Sequence, residues 1–134
     1  MISQEKLSML VMPSMNNTHL EDMILMNALS SAADAKDFAL AKNAFNELIE
    51  HTIVHFSDEE EMMQEKKFPP YATHKVEHDR ALKELRSVSQ RFREGDGDFE
   101  LVTAYIDGAL APWMIQHVQT FDKDTATFFK SHAN

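Results

Sequence analysis

Ala41, Phe45, Leu48, Thr52, His55, Glu59 and Met62 follow one another in alternating steps of four and three. That spacing puts all of them on one face of a single helix, and a face so largely apolar must be buried against partners. The same rule links His74, His78, Ala81, Leu85, Val88 and Phe92, then Ile106, Leu110, Trp113 and His117, and earlier His19, Met23 and Met26. No stretch alternates as a half-buried strand would. Four helix faces therefore carry histidine or glutamate where a core should be apolar.

Gly and Pro, three and four residues respectively, supply most of the breaks between these segments. The first predicted helix runs from about Asn16 to Ser31, with Asn16 or Thr18 as N-cap, because Thr18-His19-Leu20-Glu21 fits the capping-box pattern. The second spans about Asp37 to Lys66 and ends before Phe68-Pro69-Pro70. The third starts near Pro70 and stops at the Gly95 to Gly97 turn. The fourth covers about Phe99 to Thr120, and Lys123 to Lys130 adds a short helix. Four helices with short connections predict an all-α fold, an antiparallel up-down-up-down four-helix bundle. At 134 residues the chain is expected to form one domain, 1–134, with 1–15 as an N-terminal extension and 123–134 as a C-terminal tail. Pro112 lies inside the fourth helix and removes the bond to the Gly108 carbonyl, which at a cost of about 3 kcal/mol predicts a kink there.

The charge balance excludes several functions. Against 22 Asp and Glu there are 13 Lys and Arg, a formal charge of -9, which opposes nucleic-acid binding and adhesion to anionic lipid. No run approaches the roughly 18 apolar residues of a membrane span. The uncharged run Leu7 to Met12 is too short for a signal-peptide core, so a cytoplasmic location is expected. The absence of cysteine removes disulfides, thiolate nucleophiles and Cys-ligated zinc or iron-sulfur sites. Any metal must use His, Asp and Glu.

Five of the seven histidines, His19, His55, His74, His78 and His117, fall on the inward faces. Buried imidazoles need a partner for each ring nitrogen, so five converging on one core without a metal would be costly. His55 and Glu59 are one turn apart, as are His74 and His78. Asp122 follows His117 by five residues, near the predicted helix end, where a loosened backbone could turn the carboxylate back toward the same centre.

The ordered pattern His19, His55-Phe56-x-x-Glu59-Glu60, His74-x-x-x-His78, Trp113-x-x-x-His117-x-x-x-x-Asp122 resembles the hemerythrins of the bacterial single-domain type, over about Asn16 to Phe129. The resemblance implies that His19 and His55 bind one iron, that His74, His78 and His117 bind the other, and that Glu59 and Asp122 bridge them. Adding an oxo or hydroxo bridge leaves two six-coordinate ions one position short, on the ion with two histidines. Dioxygen is the ligand this implies, bound reversibly, with Phe56, Trp113 and Met114 shielding it. An enzyme acting on peroxide or nitric oxide is the alternative, and oligomeric state is left open. No histidine has a Glu three residues before it, which sets the chain apart from ferritin-like di-iron bundles.

The chain also departs from the family pattern. Asn16 stands where Asp is frequent, no Trp lies upstream, Met114 replaces the usual Leu, and His51 occupies a position that is often Tyr. His51 is read as a boundary residue or a support for a ligand, and His132 as solvated. Met9, Met12, Met15, Met23 and Met26 are read as core filler. In Asp58 to Glu61 only Glu59 is expected to point inward, and Glu47 or Glu50 is a candidate to orient an imidazole.

Overall fold

The computed structural model describes residues 13–95 and 97–131. Three long helices, α1 (Pro13–Asp34), α2 (Phe38–Glu65) and α3 (Tyr71–Glu94), are followed by three that run end to end: α4 (Phe99–Tyr105), α5 (Ala111–His117) and α6 (Lys123–Ser131). The last three are joined by π-turns at Ile106–Leu110 and Val118–Asp122 and form the fourth rod of the bundle. Helix α1 packs on α2 and α4, and α3 packs on α2 and α4, as an up-down-up-down bundle requires. Among the described residues, no helix is long and apolar enough to cross a membrane.

Local chemistry explains the helix ends. Asp37 caps α2 by accepting from the Leu40 N–H at 3.0 Å, and Asp98 caps α4 by accepting from the Leu101 N–H at 3.1 Å. Helix α1 starts at Pro13, so Asn16 and Thr18 are interior residues and not N-caps. It also outruns the expected Ser31 and closes on a Schellman turn, with Asp37 N–H bonded to Ala32 O and Lys36 N–H to Ala33 O. Helix α2 closes the same way, through Phe68 N–H to Met63 O and Lys67 N–H to Gln64 O. The left-handed position that usually takes Gly is filled by Lys36 and Lys67, each at φ 54°. Glycine punctuation therefore could not locate either end.

Two apolar clusters cap a polar middle. One end holds Met26, Leu29, Phe45, Leu85, Phe92 and Ile106 with their neighbours, and the other holds Met15, Met63, Phe68, Ala126 and Phe129. The predicted stripes run through the first, and of their residues only Met62 reaches the second. Met9, Met12, Asp96 and His132, and the expectations attached to them, lie outside the described residues.

Candidate metal centre

Between the apolar ends, side chains from every rod converge. α1 contributes His19, α2 His55 and Glu59, α3 His74 and His78, α5 His117, and the second π-turn Asp122; all are buried except His55, which is at the margin. Glu59 divides its oxygens. Oε1 lies 3.0 Å from His74 Nε2 and 3.4 Å from His78 Nε2, and Oε2 lies 3.0 Å from His55 Nε2. Asp122 does the same, with Oδ1 at 3.1 Å from the Nε2 atoms of both His74 and His117 and Oδ2 at 2.9 Å from His19 Nε2. Two carboxylates thus span a three-imidazole group and a two-imidazole group.

The π-turns make this arrangement possible. In an α-helix five residues turn through 500°, which would leave Asp122 about 140° away from His117. The Lys123 N–H instead reaches the Val118 carbonyl, a five-residue step, and the extra residue in that turn brings Asp122 back beside His117. The other π-turn precedes Pro112. There the Ala111 N–H bonds the Ile106 carbonyl, and the kink expected at Gly108 takes the form of one widened turn with Pro112 at the start of α5.

The donor set fits cations. His74 Nε2 sits within 3.1 Å of Glu59 Oε1, Asp122 Oδ1 and His117 Nε2, yet it carries at most one proton to share. His19 Nε2, His78 Nε2, Glu59 Oε1 and Asp122 Oδ1 are buried without a directed hydrogen bond, despite neighbours at close range. Inward-facing lone pairs in a dry core suit positive ions and little else. Two clusters could each hold one: Glu59, His74, His78, His117 and Asp122; and His19, His55 and Glu59.

Without metal, the imidazoles His74 and His55 hold protons strongly and the carboxylates Glu59 and Asp122 give them up. Burial would lower the His74 imidazole, but Asp122 and Glu59 carry it up to about 9. Burial and the Asp122 charge would raise Glu59, but the close imidazoles of His55, His74 and His78 hold it at about 2. Asp122 is likewise held well below the carboxylate range by His117, His19 and His74 against its own burial. Burial depresses His55, yet Asp22 and Glu59 outweigh it and raise the ring well above its ordinary value.

An outer ring of groups braces the imidazoles. Thr125 Oγ1 donates to the Phe121 carbonyl at 2.8 Å and so accepts from His74 Nδ1 at 2.9 Å, leaving the Nε2 lone pair facing inward. Glu60 Oε2 accepts from His78 Nδ1 at 2.9 Å, and Asp22 Oδ2 lies 2.9 Å from His55 Nδ1. Phe56 stacks on His78 at 3.9 Å, and Trp113 on His117 at 4.5 Å. The sequence reading missed Asp22 and Thr125 and placed Glu60 on the solvated face. Asp22 lies three residues after His19 and Thr125 three after Asp122, but Glu60 is next to Glu59 and about 100° round the helix, and spacing alone marks none of them as the partner of an imidazole on another helix. Glu47 and Glu50 are exposed and orient nothing in the centre.

A cavity of about 40 Å³ abuts His19, His55 and His117 but not His74 or His78. Its apolar wall includes Phe56, Trp113 and Met114, the residues expected to shield a ligand, together with Met26 and Leu85. Since a water needs roughly 10–15 Å³ of such space, the cavity admits a molecule of two or three atoms.

The family profile of the hemerythrin HHE cation-binding domain matches residues 15–127. The chain belongs to the hemerythrin family. It is 38% identical over 110 residues to the bacteriohemerythrin of Ralstonia nicotianae, covering 82% of this chain and 75% of that one. To the bacteriohemerythrin of Aquifex aeolicus it is 32% identical over 112 residues, covering 84% and 85%. The myohemerythrin of Sipunculus nudus is 39% identical over 88 residues, or 66% of this chain and 64% of that one. A crystal structure of wild-type hemerythrin shares the fold, with a TM-score of 0.75 over 84% of this chain and 85% of that one at 23% identity. Within this hemerythrin fold, Met114 is buried against the cavity, and His51 stands outside the centre with Nε2 2.9 Å from Asp22 Oδ1.

Proposed function

We propose that this protein holds two iron ions, with His19 and His55 on one, His74, His78 and His117 on the other, and Glu59 and Asp122 shared, and that it binds dioxygen reversibly. The observation that carries the reading is an asymmetry: both carboxylates split between unequal imidazole groups, and the small cavity abuts both imidazoles of the poorer one. Two ferrous ions held there would supply the electrons and the open position that a diatomic ligand requires.

The chain's own residues do the rest. Thr125 and Glu60 hold the His74 and His78 rings in one tautomer, with Nε2 free to face a metal. Phe56, Trp113 and Met114 line the cavity with apolar surface and keep water and protons from the bound ligand. We place this activity in the cytoplasm and in a single domain, 1–134. The cavity limits the ligand to a few atoms, a size that dioxygen shares with nitric oxide and peroxide, so the test of the carrier reading is kinetic.

Anaerobic ferrous loading followed by oxygen addition, with optical spectra and metal analysis on one sample, tests the proposal. The expected result is about two irons per chain and an oxygen adduct that forms once per site and reverses when oxygen is removed. Multi-turnover consumption of peroxide or nitric oxide with an added electron donor would overturn the carrier reading in favour of an enzyme.

A further inference from the structure

Asp22 is an acid in an apolar wall. It is 7% exposed and faces the same small cavity as Met26, Leu48 and Leu85. A buried carboxylate is costly unless it is paired, and both of its oxygens are engaged. Oδ2 lies 2.9 Å from His55 Nδ1, and Oδ1 lies 2.9 Å from His51 Nε2, the latter a close ion-pair contact without a well-directed hydrogen bond. His51 is half-buried, its other nitrogen is 3.7 Å from Glu21, and it forms part of the wall of an outer groove of about 340 Å³.

Each end of the centre leaves one imidazole unbraced, since at the three-imidazole end His117 Nδ1 is buried without a hydrogen-bond partner among the described residues. His74 and His78 are each held from behind by groups on α6 and α2, Thr125 and Glu60. At the two-imidazole end, His19 Nδ1 has no hydrogen-bond partner among the described residues. His55 is therefore the one imidazole there that is held from behind, and Asp22 holds it.

We propose that Asp22, itself held by His51, is a positioning residue for His55, fixing its ring proton on Nδ1 and its Nε2 toward the metal, and so governs metal occupancy at the two-imidazole end. This rests on the di-iron reading above. A carboxylate behind a ligating imidazole orients the ring and makes it a stronger donor, and loss of such a partner typically weakens metal binding by about 10–100-fold. The effect falls on one ion, since the ion pairs of Asp22 are with His51 and His55 and not with His74, His78 or His117.

Anaerobic competition titrations with Fe²⁺ or Co²⁺ against a chelator, on the wild type, D22N, D22L and H51F, separate the two metal-binding steps. In D22L the tighter step, which belongs to the three-imidazole group, is expected to stay within about twofold of wild type while the weaker step loses about 10–100-fold. D22N keeps an acceptor for His55 and removes the charge, so it should fall between, and H51F should shift the same step by less. The midpoint potential of the iron-loaded D22N protein should move positive, because a negative charge that favours the ferric state has gone. Should D22L fail to fold, D22N and H51F carry the test. Equal weakening of both steps, or a D22N protein with wild-type binding and potential, would overturn the positioning role and leave the di-iron reading intact. A wild-type protein that takes up fewer than two ions would overturn both.

Discussion

Replacing Thr125 with valine tests how much of the centre depends on the groups behind its imidazoles. Thr125 and His74 are both fully buried, and the hydroxyl lies 2.9 Å from His74 Nδ1 while donating to the Phe121 carbonyl. Valine keeps the shape and volume, so no cavity opens, but the Nδ1–H is left in the core without an acceptor. An unsatisfied buried donor costs about 1–3 kcal/mol. For a chain of this length each kcal/mol moves Tm by roughly 3–6 °C, so calorimetry of the metal-free variant should show a fall of roughly 3–18 °C. Metal binding at the three-imidazole end should weaken by about 10–100-fold in competition titration. Thr125→Ser, which restores the hydroxyl, should recover the affinity even though it loses a methyl group and about 1 kcal/mol of packing. Wild-type affinity and Tm in Thr125→Val would refute the argument.

The remaining expectations concern pH, the cavity wall and the backbone. In the metal-free protein, His74 at about 9 contributes stability that is full below its reference 6.5 and lost as pH rises toward 9, while Glu59 at about 2 contributes stability that is full above 4.5 and lost on acidification. Thermal melts of the metal-free protein should therefore peak between those reference values, whereas the metal-loaded protein, whose imidazoles stay neutral, should gain stability as pH rises through about 6.5, hold it to 9 and lose iron in acid; parallel curves would count against the assignment. Met114→Leu, a near volume-conserving swap in the cavity wall, should autoxidise more slowly after oxygenation, followed optically, because a branched alkyl group seals better than a flexible thioether. Deleting exposed Thr120 turns the π-turn into α-helix and leaves Asp122 four positions after His117, so two metals should still bind; inserting Ala after Thr120 rotates Asp122 by about 100° and should lose metal. Lys67→Gly relieves a left-handed side chain and should stabilise the metal-free protein by about 1 kcal/mol in denaturant melts, unlike Lys67→Ala.

The stripes carry most of the fold because one periodicity governs both burial and metal ligation. Ala41 through Met62 and His74 through Phe92 face the interior in order, and the histidines interrupt them where the bundle is polar. The helix ends were less legible where a lysine does the work of a glycine, since Lys36 and Lys67 adopt left-handed geometry that their chemistry does not advertise. The π-turn at Val118–Asp122 left only the odd five-residue spacing from His117 as a trace. Asp22, Glu60 and Thr125 were illegible for a different reason. An acid or a threonine beside a metal-type residue looks the same in sequence whether it meets solvent or reaches across to another helix, and Glu60 meets His78 only because α2 and α3 are neighbours.

The same packing explains why the two ends of the centre differ. α3 supplies two imidazoles from a single turn, His74 and His78, each braced by a different neighbouring helix, and Phe56 lies flat against His78. That end has little room to relax, and the cavity does not touch either ring. His19 and His55 come from separate helices, have one bracing carboxylate between them, and adjoin the space a small ligand needs. A centre that gains and loses a ligand must change its coordination at one end while the other keeps the metals in place. On the proposed di-iron reading, the α3 end keeps the metals in place and the α1–α2 end changes its coordination, and Asp22 stands where those demands meet.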